Sequence, residues 1–149
     1  MKKITILFCG LFLMAGTMYA QLRKLPSEVT STFSAAYPTA TNVTWKDNLT
    51  NFEAQFDQSG DHSVAKFSTK GVWLETTRDM KFDNLNVAIK DGFNKSKYKD
   101  WERKEIKEQS VKGKETLYRI HVSKQETVIN KYLYFNAKGQ LVRDALTIS

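Results

Sequence analysis

Cysteine is almost absent from this sequence. The single cysteine, Cys9, lies in an N-terminal apolar stretch that we expect to be removed as a signal peptide, residues 1–20. The exported chain, residues 21–149, then has no cysteine, which excludes disulfides and cysteine-based catalysis. Such a chain depends on its hydrophobic core alone, and about 130 residues are enough to form one.

Long apolar runs are also absent apart from that N-terminal stretch. Lys2 and Lys3 precede the apolar run at residues 4–15, and Ala20 offers a small residue before Gln21. This order is typical of a secretory signal, and the run is shorter than the about 20 residues that a membrane span needs. We therefore expect a periplasmic or secreted protein that is cut near Ala20 and has no stable membrane span in its mature form.

Catalytic and metal-binding motifs are absent too. The chain has only two histidines, His62 and His121, and no Gly-x-Ser-x-Gly or glycine-rich phosphate loop. No His, Cys or carboxylate pair has the spacing of a metal site. The sequence thus predicts no enzyme, no metal and no cofactor. One alternative remains open: a small enzyme or ligand carrier that uses a cleft between two repeats and His121 with Glu53.

Charge is distributed unevenly. Residues 21–79 carry six basic and seven acidic side chains, whereas residues 80–149 carry fifteen basic and nine acidic ones, a net charge of +6. The Lys-rich stretch 95–107 is either a solvated surface or a face for an acidic protein or an anionic glycan. Nucleic acid is a poor candidate partner because the chain is exported and has no RNP-like aromatic motif.

The mature sequence repeats itself. A helix-like apolar spacing, a short alternating strand and a hairpin occur in residues 21–79 and again, in the same order, in residues 80–149. The turn Phe-x-x-Lys-Gly closes both hairpins, at Phe67–Gly71 and at Phe135–Gly139. We interpret the halves as two copies of one helix-plus-sheet unit, a scaffold that presents a surface.

Each copy predicts one helix followed by four strands. The first helix has the apolar stripe Val29, Phe33 and Tyr37 and ends at Pro38; the second is expected to begin at a cap formed by Asp83 or Asn84. The charged stretch Trp101–Gln109 predicts an outer strand, followed by a meander of three more strands. The expected fold is α+β: two tandem α-β-β-β-β repeats that form one antiparallel platform, with both helices on one face.

Strand alternation then predicts a second, open face of the sheet. Residues such as Leu133 and Phe135 point towards a helix, so the intervening residues point away from it. This open face is predicted to carry these candidate binding residues: Tyr132, Tyr134, Trp73, Arg119 and His121. Exposed Tyr and Trp give large contact area at low entropic cost, which favours protein or peptide binding there.

These patterns resemble a known family. The segment Leu25–Pro38, then Val43 and Trp45, then Phe52–Phe56 and Phe67–Glu75, resembles the PepSY-like proteins of Bacteroidetes, which are also described as β-lactamase-inhibitor-like. The second copy lacks the Leu-Pro and Tyr-Pro pairs that flank the first helix. The resemblance implies two repeats with a saddle-like antiparallel platform. It also implies an exported binding protein that inhibits or regulates an envelope enzyme, but it carries over no site residue.

Overall fold

The computed structural model describes residues 24–124 and 127–147. The expected signal peptide lies outside these residues. The first repeat contains α1 (Ser27–Ala36), β1 (Thr41–Asp47), β2 (Asn51–Gln58), β3 (Asp61–Ser68) and β4 (Trp73–Asp79). The second, after a short 3₁₀ turn at Phe82–Asn84, contains α2 (Val87–Lys95), β5 (Glu102–Val111), β6 (Leu117–Ser123), β7 (Asn130–Asn136) and β8 (Leu141–Leu146).

All eight strands form one antiparallel sheet in sequence order, from β1 to β8. Every neighbouring pair is connected along the chain, and β4 joins β5 across the boundary between the repeats. The predicted α+β class, the two α-β-β-β-β units and the continuous platform are therefore confirmed. No helix among the described residues is long and apolar enough to cross a membrane.

The first helix follows the sequence pattern. Pro26 precedes it in an extended conformation, and its carbonyl oxygen accepts the first helical hydrogen bond, from the Val29 amide. Val29 and Phe33, one turn apart, are buried against the sheet, and Tyr37 packs beside them just before Pro38. This matches the predicted apolar stripe, because residues four apart share one side of a helix.

The predicted cap of the second helix is wrong. Asp83 and Asn84 belong to the preceding 3₁₀ turn, and Asn86 caps the helix by accepting a hydrogen bond from the Ile89 amide at 2.9 Å. The side-chain Nδ2 of Asn86 also donates a hydrogen bond to the carbonyl oxygen of Ala137 at 3.1 Å. Asn86 thus satisfies a free helical N–H and ties the helix to the β7–β8 turn, which the sequence near residue 83 does not indicate.

The placement of the charged strand also differs from the prediction. β5 is central, between β4 and β6, and not an outer strand. Its charges are tolerated there because each neighbouring strand supplies an opposite charge. The ion pairs are Lys107 with Asp79 at 3.0 Å, Glu108 with Arg78 at 2.9 Å and Glu105 with Arg119 at 3.0 Å.

Two separate hydrophobic cores lie under the helices. The first contains Val29, Phe33, Phe52, Ala54, Phe56, Ala65 and Phe67. The second contains Leu85, Ile89, Phe93, Tyr98, Ile106, Ile120, Val122, Leu133 and Phe135. Between them, the helix side of β4 and β5 carries polar residues, including Thr76, Arg78, Glu108 and Ser110. The repeats therefore share their backbone sheet but not one continuous apolar core.

The recurring Lys-Gly turn has the same structural role in both repeats. Gly71 and Gly139 both have φ of +78°, and both turns approach the helix of their own repeat. A Cβ atom on Gly71 would lie 2.7 Å from the backbone of Glu28, and one on Gly139 would lie 2.0 Å from the carbonyl oxygen of Ala88. Only glycine fits both the left-handed conformation and this close approach.

Candidate binding surface

The strand register places four of the five predicted site residues on the open face. Tyr132 pairs with His121 and Tyr134 pairs with Arg119 across β6 and β7, while the intervening Leu133 is buried in the second core. Because paired residues share a side of the sheet, these four side chains form one contiguous patch on the side away from the helices. We call this patch the tyrosine face: Arg119, His121, Tyr132 and Tyr134, together with Arg143.

Trp73 is not part of the tyrosine face. A register shift between Lys66 and Phe67 places Trp73 opposite Phe67, whose side chain is fully buried on the helix side. Trp73 accordingly packs against the first core and donates its indole N–H to Thr76 Oγ1 at 2.8 Å. The prediction of its position assumed regular alternation, and a bulge reverses the side on which a residue lies.

One guanidinium lies over each tyrosine ring. The guanidinium of Arg119 lies 4.6 Å from the Tyr132 ring centre, and the His121 ring lies 4.9 Å from it. Arg143, on the edge strand β8, lies 3.9 Å above the Tyr134 ring. Cation–π contacts at exposed sites contribute about 0.5–1 kcal/mol and favour these ring positions. Sequence reasoning missed Arg143, although its alternation opposite Tyr134 along β8 was the available signal.

An ion-pair chain connects this patch to the middle of the sheet. Lys107 lies 3.0 Å from Asp79 and 3.1 Å from Glu105, and Glu105 in turn accepts from Arg119 at 3.0 Å. Burial of Lys107 disfavours its charged form, but the hydrogen bonds to Asp79 and Glu105 outweigh this and raise its pKa. This series of ion pairs spans β4, β5 and β6, so Glu105 holds Arg119 from the side opposite Tyr132.

One polar atom of the tyrosine face is buried without a partner. His121 Nε2 has no hydrogen-bond partner within residues 24–124 and 127–147. Buried polar groups are normally paired, so this nitrogen is an exception in this part of the sheet. The side chains of Tyr132 and Tyr134 beside it are half-buried.

The structure does not bring together His121 and Glu53, the residues of the alternative enzyme hypothesis. Both face the open side, but they lie on β6 and β2, four strand spacings apart. At about 4.8 Å per spacing the separation is roughly 19 Å, too far for a shared proton. Within the described part of the chain, no group of three or more His, Cys, Asp or Glu side chains could hold a metal ion.

Part of the basic stretch is paired within the molecule. Lys95 pairs with Asp91 at 2.6 Å, and Lys104 pairs with Glu102 at 2.7 Å. Arg103 stacks over Phe82 at 4.0 Å, and Lys107 belongs to the ion-pair chain described above. Four cations of this stretch therefore take part in local contacts.

Comparison with known proteins yields structural neighbours only. No family model matches the sequence, and no curated protein matches it. A BLIP-like protein from Bacteroides fragilis matches with a TM-score of 0.81 at 19% identity, covering 87% of this chain and 91% of that one. A DUF2874 family protein from Bacteroides ovatus matches with a TM-score of 0.76 at 24% identity, covering 81% and 86%.

A third neighbour, from Bacteroides eggerthii and provisionally described as periplasmic, has a TM-score of 0.73 at 20% identity, covering 81% of this chain and 88% of that one. At such identities the matches establish a shared fold. The fold is that of BLIP-like and DUF2874 family proteins, in agreement with one of the two descriptions of the family that the sequence resembles.

Proposed function

We propose that this protein is an exported, non-catalytic module of the PepSY-like type that binds a protein or peptide on its tyrosine face. The observation that carries the proposal is the pair of half-buried tyrosines that share the open side of β7, each with a guanidinium over its ring. A rigid aromatic group with a polar end is characteristic of binding surfaces.

Preorganised side chains lower the entropic cost of binding. A flexible side chain loses rotamer freedom on binding, at about 0.5–1.5 kcal/mol for each immobilised group. Tyr132 lies between His121 and Arg119, and Arg119 is fixed by Glu105. Much of this rotamer freedom is therefore already lost during folding, before a partner binds. Tyrosine and arginine are also the residue types that most often dominate contact energies.

The comparisons support the exported location and the binding role. One neighbour is provisionally described as periplasmic, and another is described as BLIP-like. The sequence adds the N-terminal pattern Lys2-Lys3, apolar run, Ala20 that is typical of export. We extend the proposal to inhibition or regulation of an envelope enzyme, which the name BLIP-like suggests for that neighbour.

The test is capture from an envelope extract on immobilised residues 21–149, followed by mass spectrometry and by affinity measurement with the purified partner. The variant Tyr132→Ser/Tyr134→Ser is compared with wild type. Its matched control is Leu49→Ser/Val87→Ser, which removes two exposed apolar side chains outside the tyrosine face. The proposal predicts that the tyrosine variant loses the partner and that the control retains it.

Capture at low and at high salt distinguishes a protein partner from an anionic glycan. A protein partner retained at high salt and lost in the tyrosine variant supports the proposal, because exposed charge contacts weaken with ionic strength whereas aromatic burial does not. Equal retention by both variants would place the contact elsewhere on the molecule. Polysaccharide that is retained at low salt and released at high salt would instead support the alternative of an anionic-glycan-binding protein.

A further inference from the structure

A polar groove on the helix side of the sheet lies between the two hydrophobic cores. Its floor is formed by the side chains of β3, β4 and β5 that point towards the helices, namely Ser63, Thr76, Arg78, Glu108 and Ser110. Tyr37 and Trp73 line it from the side of the first core. Its volume is about 450 Å³, within the about 300–1,000 Å³ usual for small-molecule sites.

The charged residues that the structure places around the groove are Arg78 and Glu108, and their charges cancel within an ion pair. Arg78 Nη2 lies 2.9 Å from Glu108, and Nη1 lies 3.9 Å from Asp61. Burial and the neighbouring Glu108 raise the pKa of Tyr118, which also hydrogen-bonds that carboxylate. Arg78 Nε, however, is buried without a hydrogen-bond partner in the described residues. Because that atom has almost no accessible surface, a ligand reaches Arg78 through the exposed part of its side chain, 38% of the side-chain surface.

One hydroxyl, on Thr76, contacts both aromatic residues that line the groove, Tyr37 and Trp73. Thr76 Oγ1 accepts the indole N–H of Trp73 at 2.8 Å and lies 2.5 Å from the hydroxyl of Tyr37. This network links the end of α1 to the floor of the groove. It fixes two amphipathic rings beside the polar floor, so the groove offers an apolar wall and a hydrogen-bonding base at the same time.

These features restrict the chemistry of a ligand. Among the lining residues, an anion would meet the carboxylate of Glu108 and a cation would meet the guanidinium of Arg78, so this ion pair favours an uncharged molecule. The molecule also needs an acceptor for the guanidinium of Arg78, donors for the carboxylate and hydroxyl oxygens, and an apolar side for the rings. A pyranose has hydroxyls that donate and accept, together with a face of C–H groups.

We infer that this groove is a binding site for a neutral saccharide, separate from the tyrosine face and on the opposite side of the sheet. Arg78 and Glu108 bind ring hydroxyls, and Trp73 and Tyr37 contact the C–H face of the sugar. The size suits about one or two sugar units, given the usual range of ligand cavities. The site lies at the junction of the repeats, so it requires both of them.

The experiment is a titration of ¹⁵N-labelled residues 21–149 with three neutral disaccharides, cellobiose, maltose and lactose, followed by NMR chemical-shift changes. Concentrations up to about 10 mM detect affinities in the millimolar range. We expect shifts at the Trp73 indole N–H and at the backbone of residues 76–78 and 108–110, with no shifts around Tyr132 and Tyr134. A neutral blocked tri-alanine peptide is titrated in parallel as the comparison ligand.

The matched variants are Arg78→Lys and Arg143→Lys, the same change on opposite faces of the sheet. Arg78→Lys keeps the charge but removes the planar guanidinium, and is expected to weaken saccharide binding about tenfold because a charge-assisted hydrogen bond is lost. Arg143→Lys is expected to leave the affinity unchanged.

Three results would overturn the inference: no shifts with any of the disaccharides, shifts confined to the tyrosine face, or an equal response to the tri-alanine peptide. The chemical-shift changes of the wild-type protein distinguish these outcomes even where Arg78→Lys fails to fold.

Discussion

Gly92, in the middle of α2, faces the backbone carbonyl of Gly139 so closely that a Cβ atom at position 92 would lie 1.9 Å from that oxygen. The β7–β8 turn is thus pressed directly onto the helix. Judged by helix propensity alone, Gly92 costs the helix about 1 kcal/mol relative to alanine. The close approach explains why glycine nevertheless occupies this position.

We therefore predict that Gly92→Ala destabilises the protein although it improves helix propensity. Inserting a methyl group into a closed contact typically costs about 1–3 kcal/mol, which exceeds the about 1 kcal/mol gained. The free energy of unfolding from urea titrations measures the change. The control is Asn94→Ala, an exposed position of the same helix, where a small gain is expected. A stabilised Gly92→Ala variant would show that the turn does not pack against α2 in solution.

Residue alternation and turn chemistry made most of the fold predictable from the sequence. Phe52, Phe56 and Phe67 fall on one side of their strands, and the Lys-Gly turns mark both hairpins. These signals are local, and each is strong on its own. The open position of Tyr132 and Tyr134 followed from the same alternation.

Other features depended on contacts between distant segments. The central position of β5 depends on carboxylates and guanidiniums that β4 and β6 supply, which no local pattern reveals. The bulge before Trp73 moves that residue to the helix side, and nothing in the local alternation indicates it. The polar groove likewise arises only when β3, β4 and β5 are side by side.

A second prediction compares the two sides of β7. Tyr132→Ser/Tyr134→Ser is expected to cost about 1 kcal/mol, or slightly more, because the rings stack on cations without filling the core. Phe135→Ala is expected to cost about 3–5 kcal/mol, since a fully buried ring leaves a cavity. Thermal and urea unfolding measure both. Similar losses from the two variants would mean that the register of β7 differs from the one described.

A third prediction concerns the boundary between the repeats. Residues 21–79 end at β4, whose outer edge is normally paired with β5 through five residue pairs. A fragment of these residues retains the first core but exposes that edge and leaves Arg78 without Glu108. We expect it to aggregate or to unfold without cooperativity, because an unprotected long edge strand pairs with other chains.

Light scattering and a calorimetric scan of the fragment provide the measurement, with residues 21–149 as the control. A stable fragment is also physically possible, because each repeat has its own hydrophobic core. A monomeric fragment with a sharp melting transition would show that residues 21–79 and 80–149 are independent domains connected by strand pairing.

The last prediction concerns pH. Asp144 on β8 accepts hydrogen bonds from the Tyr98 hydroxyl and from Lys131, the latter at 3.1 Å, and these contacts lower its pKa in the folded protein. Folding thus favours the charged carboxylate. The resulting stabilisation is complete above the ordinary carboxyl pKa of about 4 and is lost as the pH falls through the lower folded value.

Asp144→Asn tests this linkage because asparagine keeps an acceptor for Tyr98 but has no charge. We expect the variant to be less stable than wild type at neutral pH and to lose less stability between about pH 5 and pH 2, so that the two curves converge in acid. Unfolding free energies measured across this range provide the comparison, with the exposed Asp83→Asn as the control. Parallel curves for wild type and Asp144→Asn would mean that the carboxylate is not preferentially charged in the folded state, and that Tyr98 and Lys131 bind β8 without help from its charge.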